Sequence, residues 1–135
     1  MKPIKNRRRQ ILDDTVQYYK EHPRCIGWKE EEDYRGFTNR YWGQVMYSGE
    51  SLMVETDGDA VGRLLPKSLR KVIDKVFGEA GISRIWNMLP EDIQELGEEF
   101  LIELSCLHDN DKWWFKNDLS EEGKEFYQEI KQKFC

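Results

Sequence analysis

Apolar residues recur at two different periods along this 135-residue chain, and the change of period divides it. Over residues 6–21, Ile11, Leu12, Thr15, Tyr18 and Tyr19 fall on one face of a helix. His22-Pro23 ends that pattern, because a residue before proline avoids the α region. Residues 24–58 read differently. The segments 25–28, 41–47 and 51–56 are rich in aromatic and β-branched residues, separated by glycines and charges, which predicts a small irregular antiparallel sheet. Ser48-Gly49-Glu50 is its best hairpin turn, and residues 29–33 form a charged loop.

Helical periodicity returns after Asp57-Gly58-Asp59. Residues 60–65 suit a short helical turn leading into Pro66. A helix over 67–77 would turn Leu69, Val72, Ile73 and Val76 inward, with Gly78 placed as a C′ glycine. Ser83 is positioned to cap a short helix reaching Met88. The clearest stripe is Ile93, Leu96, Phe100, Leu101, Leu104 and Leu107, which predicts one amphipathic helix over 91–108. Pro90, Glu91 and Asp92 suit its first turn. A loop carries Trp113, Trp114 and Phe115. Ser120 then caps a last helix with Phe126, Tyr127, Ile130 and Phe134 on one side. The expected fold class is α+β: an N-terminal helix (1–23), a small antiparallel β-sheet region (24–58) and a helical C-terminal half (59–135), all in one domain of 135 residues.

Composition supports a packed interior, since aromatics make up 13 % of the chain and include five tryptophans. No apolar run approaches the roughly 20 residues of a membrane span, and no apolar segment follows the basic N-terminus as a secretory signal requires. No membrane partner is therefore expected. The three cysteines, Cys25, Cys106 and Cys135, are odd in number and lack a CxxC pair. That argues against a disulfide framework and for a reducing cytoplasm.

Charge is uneven. Residues 1–9 carry five cations and no acid, whereas the rest holds 16 basic against 26 acidic residues. From Leu89 onward there are 13 acids and five bases, a balance of −8. Such a body repels phosphate backbones and attracts basic partners, so nucleic acid is the less favoured partner. Arg7-Arg8-Arg9 reads as solvated charge ahead of the first helix. Glu91, Glu95, Glu98 and Glu99 line an outer helical face, read first as solvated and more sharply as an acidic docking surface.

Most reaction chemistries lack their residues. A calcium loop begun at Asp57 has Asp59 and Gly62 in place, but Val61 stands at its fifth position and Ser68 at its twelfth, where a Glu is needed. His22, His108 and the cysteines have no zinc spacing. Phosphate-binding glycine motifs are absent. A thiol hydrolase built on Cys25 or Cys106 with His108 and Asp109 is the weakest alternative, because Cys106 and His108 lie two apart on a helix and point differently. No metal or cofactor is expected. Arginines interleave with aromatics around Arg35, Arg40, Tyr41 and Trp42, a composition that suits either stacking on a nucleotide-like ligand or a small β core. With Asp57, Asp59 and Arg63 they form the candidate ligand set, although capping of a turn is the favoured role for Asp57 and Asp59.

Ala60-Val61-Gly62-Arg63-Leu64-Leu65-Pro66, Leu89-Pro90, a helix closing on Leu107-His108-Asp109, and the stretch 117–123 together resemble a group of small bacteriophage and bacterial proteins without an established activity. The resemblance spans roughly residues 44–134. It implies a phage or mobile-element setting in a bacterial host cell. The group usually carries a cysteine before the Ala-Val-Gly stretch, where this chain has Asp59. The reading is a non-enzymatic accessory protein that binds a host protein and interferes with host functions or defence. Binding or sequestering a nucleotide-like ligand is the alternative.

Overall fold

A computed structural model of the chain describes residues 3–22, 37–39, 44–46, 53–55, 58–77 and 81–135. The fold is α+β, with an N-terminal helix, small antiparallel sheets and a helical C-terminal half. The chain divides into two compact units. One joins Met1–Pro23 to Pro90–Cys135, and the other is Arg24–Leu89. Among the described residues no helix is long and apolar enough to cross a membrane.

In the discontinuous unit, α1 (Ile4–Glu21) buries Leu12, Thr15, Val16 and Tyr19. It ends at His22, whose backbone is extended as Pro23 demands. The stripe expected to form one helix over 91–108 is buried at all six positions, yet the helix is broken. It consists of α4 (Glu91–Gln94) and α5 (Glu98–Asp109). The break is at Gly97, with φ +94°, a region that side-chain-bearing residues rarely enter. Apolar spacing reports which positions face inward, and it does not register a glycine that changes the backbone direction between them.

The tryptophan segment is ordered. After a 3-10 turn (Asp111–Trp113), β4 (Trp114–Phe115) pairs antiparallel with β5 (Asp118–Leu119), and α6 (Glu121–Phe134) follows. The Trp114 indole N–H donates to the Leu107 carbonyl at 2.7 Å, tying this hairpin to α5. Ser120 caps α6 as expected, its hydroxyl accepting from the Gly123 N–H at 3.0 Å. A Cβ at Gly123 would overlap the Trp113 carbonyl, so the first turn of α6 lies directly on the preceding turn.

The arginine run is not solvated charge. The Arg8 guanidinium donates to the Leu96 carbonyl at 2.8 Å and the Phe134 carbonyl at 3.3 Å. It lies 5.9 Å from the ring centroids of both Phe100 and Phe134. Arg7 donates to the Asp92 carbonyl and to Glu95, and Arg9 to the Cys135 carbonyl. Carbonyls at helix ends lack intrahelical donors and carry partial negative charge, so cations are drawn to them. Charge counting along the sequence overlooked these acceptors because they belong to the backbone.

In the second unit, β1 (Phe37–Asn39), β2 (Gln44–Met46) and β3 (Met53–Glu55) form an antiparallel sheet in that order. Val45 is in register with Thr38 on one side and Val54 on the other. The expected turn 48–50 lies between β2 and β3 but outside the described residues, as do the expected strand 25–28 and Gly78. The Asp59 carboxylate accepts from the N–H groups of Val61 and Gly62 at 3.1 and 2.7 Å, and a 3-10 turn follows over Gly62–Leu64. The next helix, α2 (Lys67–Phe77), has the expected bounds but a different inward face. Ile73 is buried, flanked by the partly covered Leu69 and Phe77, whereas Val72 and Val76 are 47 % and 65 % exposed. The row 69–73–77 points inward, which turns the valines about 100° away. Ser83 lies inside the short α3 (Ile82–Ile85), whose N-cap is Gly81.

Charge-assisted hydrogen bonds contribute about 1.5–3 kcal/mol, so Arg8→Met is expected to lower unfolding free energy by about that amount. A non-glycine residue at the Gly97 backbone angles costs about 1–3 kcal/mol, which sets the loss for Gly97→Ala. Urea unfolding reads both as a lower midpoint at unchanged slope.

Candidate functional site

A cleft of about 450 Å³ lies in the discontinuous unit. Its walls follow from helical spacing. Asp13, Gln17 and Lys20 stand at i, i+4 and i+7 on α1, and Lys124, Tyr127 and Gln128 at i, i+3 and i+4 on α6. Asp118 and Leu119 of β5 close one end, and Val16 contributes to the apolar floor.

A hydrogen-bonded chain crosses the cleft. The Tyr127 hydroxyl donates to Asp13, and Lys131 donates to the Tyr127 oxygen at 3.0 Å while standing 3.8 Å from Asp13. Burial and the adjacent Asp13 carboxylate push the Tyr127 hydroxyl above its ordinary value of 10.0. It is therefore a neutral donor at physiological pH and not a base. Lys20 pairs with Asp118 at 3.5 Å, and Lys124 with Glu121 at 3.4 Å. Asp118 is held below the usual carboxylate value first by the Leu119 N–H and then, against a desolvation effect, by Lys20 and Lys124. The cleft can orient a polar molecule between charges of both signs.

Of the residues expected to bind a ligand, Arg35, Arg40, Tyr41, Trp42 and Asp57 lie outside the described residues, and so does Cys25 of the thiol alternative. Asp59 is fully buried in its capping role, and Arg63 is half-buried in the adjoining turn. Tyr19 is a core residue, edge-on to His108 at 4.7 Å. Cys106 is exposed on α5, whereas His108 is fully buried and donates from Nδ1 to Asp109 at 2.6 Å. Cys106 and His108 therefore lie on opposite faces.

The four expected partner-binding residues are all exposed. Glu95 is engaged by Arg7 at 3.2 Å. Glu91 lies in the first turn of α4, and Glu98 and Glu99 in that of α5, where carboxylates favour the helix dipole. Ile102, 43 % exposed, sits one turn beyond Glu98 and Glu99 and next to Glu103. The acidic face thus has an apolar centre, which periodicity alone does not set apart from the core stripe of the same helix. No protein-family model matches the chain, and neither does any curated protein or solved structure.

The raised Tyr127 value fixes a sign. The folded state holds this proton more tightly than the unfolded chain, so the stabilisation is complete below pH 10.0 and is lost as pH rises through the folded value. Lys131, also raised, acts in the same direction. Urea midpoints measured across this alkaline range should fall with pH, and Tyr127→Phe should flatten the decline. An equal slope in wild type and variant would contradict the assignment.

Proposed function

We propose that this chain is a non-enzymatic accessory protein that binds a host protein in the bacterial cytoplasm, acting on host functions or defence. The setting rests on the sequence resemblance to phage proteins. The binding mode rests on one observation: an exposed isoleucine framed by Glu98, Glu99 and Glu103 on α5. Interfaces concentrate their energy in a few well-packed central residues, while surrounding charges select partners and speed encounter. The surface that fits is basic with an apolar recess, and the −8 balance from Leu89 onward favours its approach. Affinity capture from bacterial lysate should recover a specific basic protein with the wild type and lose it, by at least tenfold, with Ile102→Lys or Glu99→Lys at unchanged helical circular dichroism. Repeated captures with no specific partner would remove the proposal.

A second reading, sequestration of a nucleotide-like anion, has the α1–α6 cleft in its favour. Lys20 and Lys124 both act on Asp118 there, and an anionic group can take that carboxylate's place between them. Saturating ligand must raise the melting temperature. Nucleotides and cyclic dinucleotides should therefore raise it in wild type and not in the Lys20→Ala, Lys124→Ala double variant, and a flat panel would eliminate this reading.

A further inference from the structure

Besides the N-terminal arginines, the acidic body carries a second basic stretch. Between residues 60 and 89 there are six cations, Arg63, Lys67, Arg70, Lys71, Lys75 and Arg84, against Asp74 and Glu79. Three of them, Lys67, Lys71 and Lys75, form an exposed row along α2 at steps of about 6 Å. The neighbouring row is Ser68, Val72 and Val76, and it too is exposed. Two valines beside three lysines are not what solvation of a helix requires. They make a basic face with an apolar edge.

The complementary face is on α5. Glu98, Ile102 and Cys106 form one exposed row, and Glu99 and Glu103 stand beside it. On α2 the apolar row follows the charged row by one residue, and on α5 it precedes it by one. In right-handed helices this places the charges on opposite hands of the apolar row when each is seen face-on. Two such helices laid face to face and parallel bring lysines over glutamates and valines over Ile102.

We propose that α2 of one copy of this chain docks on α5 of a second copy. A nucleic acid or an anionic membrane fits less well, because phosphates match the lysines but gain nothing from the valines, whereas α5 offers carboxylates and an apolar residue side by side. An 11-residue helix is about 16 Å long. A single helix pair of that length covers far less than the roughly 800 Å² per partner of a stable interface. The association is accordingly weak and sensitive to salt. It uses the face assigned above to a host protein, but its test contains only this chain, so either proposal can fail without the other.

Sedimentation at rising concentration and low ionic strength should show wild-type mass growing beyond the monomer. Lys71→Glu with Lys75→Glu, and separately Glu99→Lys with Glu103→Lys, should each stay monomeric, and an equimolar mixture of the two should associate again. Val72→Ser with Val76→Ser should weaken association at unchanged charge, and it decides the matter if a reversed variant fails to fold. A wild type that is monomeric throughout, a mixture that does not re-associate, or valine variants that associate undiminished would overturn the proposal.

Discussion

The Arg8 guanidinium ties together the two stretches of chain that form the discontinuous unit. That unit is made from two stretches of chain separated by 66 residues, Arg24–Leu89. Burial of Leu12, Val16 and Tyr19 gives α1 a reason to pack but fixes its position along the interface only loosely, because hydrophobic burial has no direction. Hydrogen bonds do have direction. Arg8 reaches the carbonyl that the Gly97 turn releases and the carbonyl near the end of α6, so one planar group sets α1 against both. The polar faces of α1 and α6 then meet at the spacing that lets Tyr127 reach Asp13.

Much of this is legible in the sequence. α2 has the expected bounds, α1 and α6 lie where periodicity put them, and Ser120 and Asp59 cap the turns predicted for them. These signals are local: each depends on residues within one or two turns. What escaped was non-local or belonged to the backbone. Gly97 is one of ten glycines, and nothing in its neighbours announces a positive φ. The Arg7-Arg8-Arg9 run finds carbonyls about 85 to 126 residues away, and main-chain oxygens have no letter in a sequence. The valines of α2 were assigned inward because a four-residue stripe can be rotated by one position without changing its period.

The candidate site was less legible than the fold. Asp13, Lys20 and Lys124 look like ordinary helix-surface residues and Tyr127 like part of an apolar stripe, and only the pairing of α1 with α6 makes them neighbours. The acidic face was visible as a pattern of glutamates, but its centre, Ile102, falls within a helix whose other apolar residues are almost all interior. A binding surface and a core stripe on the same helix use the same residue types, and exposure alone separates them.

The glycine at the start of α6 has a further effect. Because the Trp113 carbonyl fills the space where a side chain at Gly123 would stand, sliding α6 along its axis or turning it by one residue would drive a side chain into main-chain atoms. The helix is thereby denied the small ratcheting movements by which packed helices often accommodate a ligand. Anything entering between α1 and α6 must fit the gap as it stands or displace charges at its rim, so selectivity there would come from shape before it came from induced adjustment.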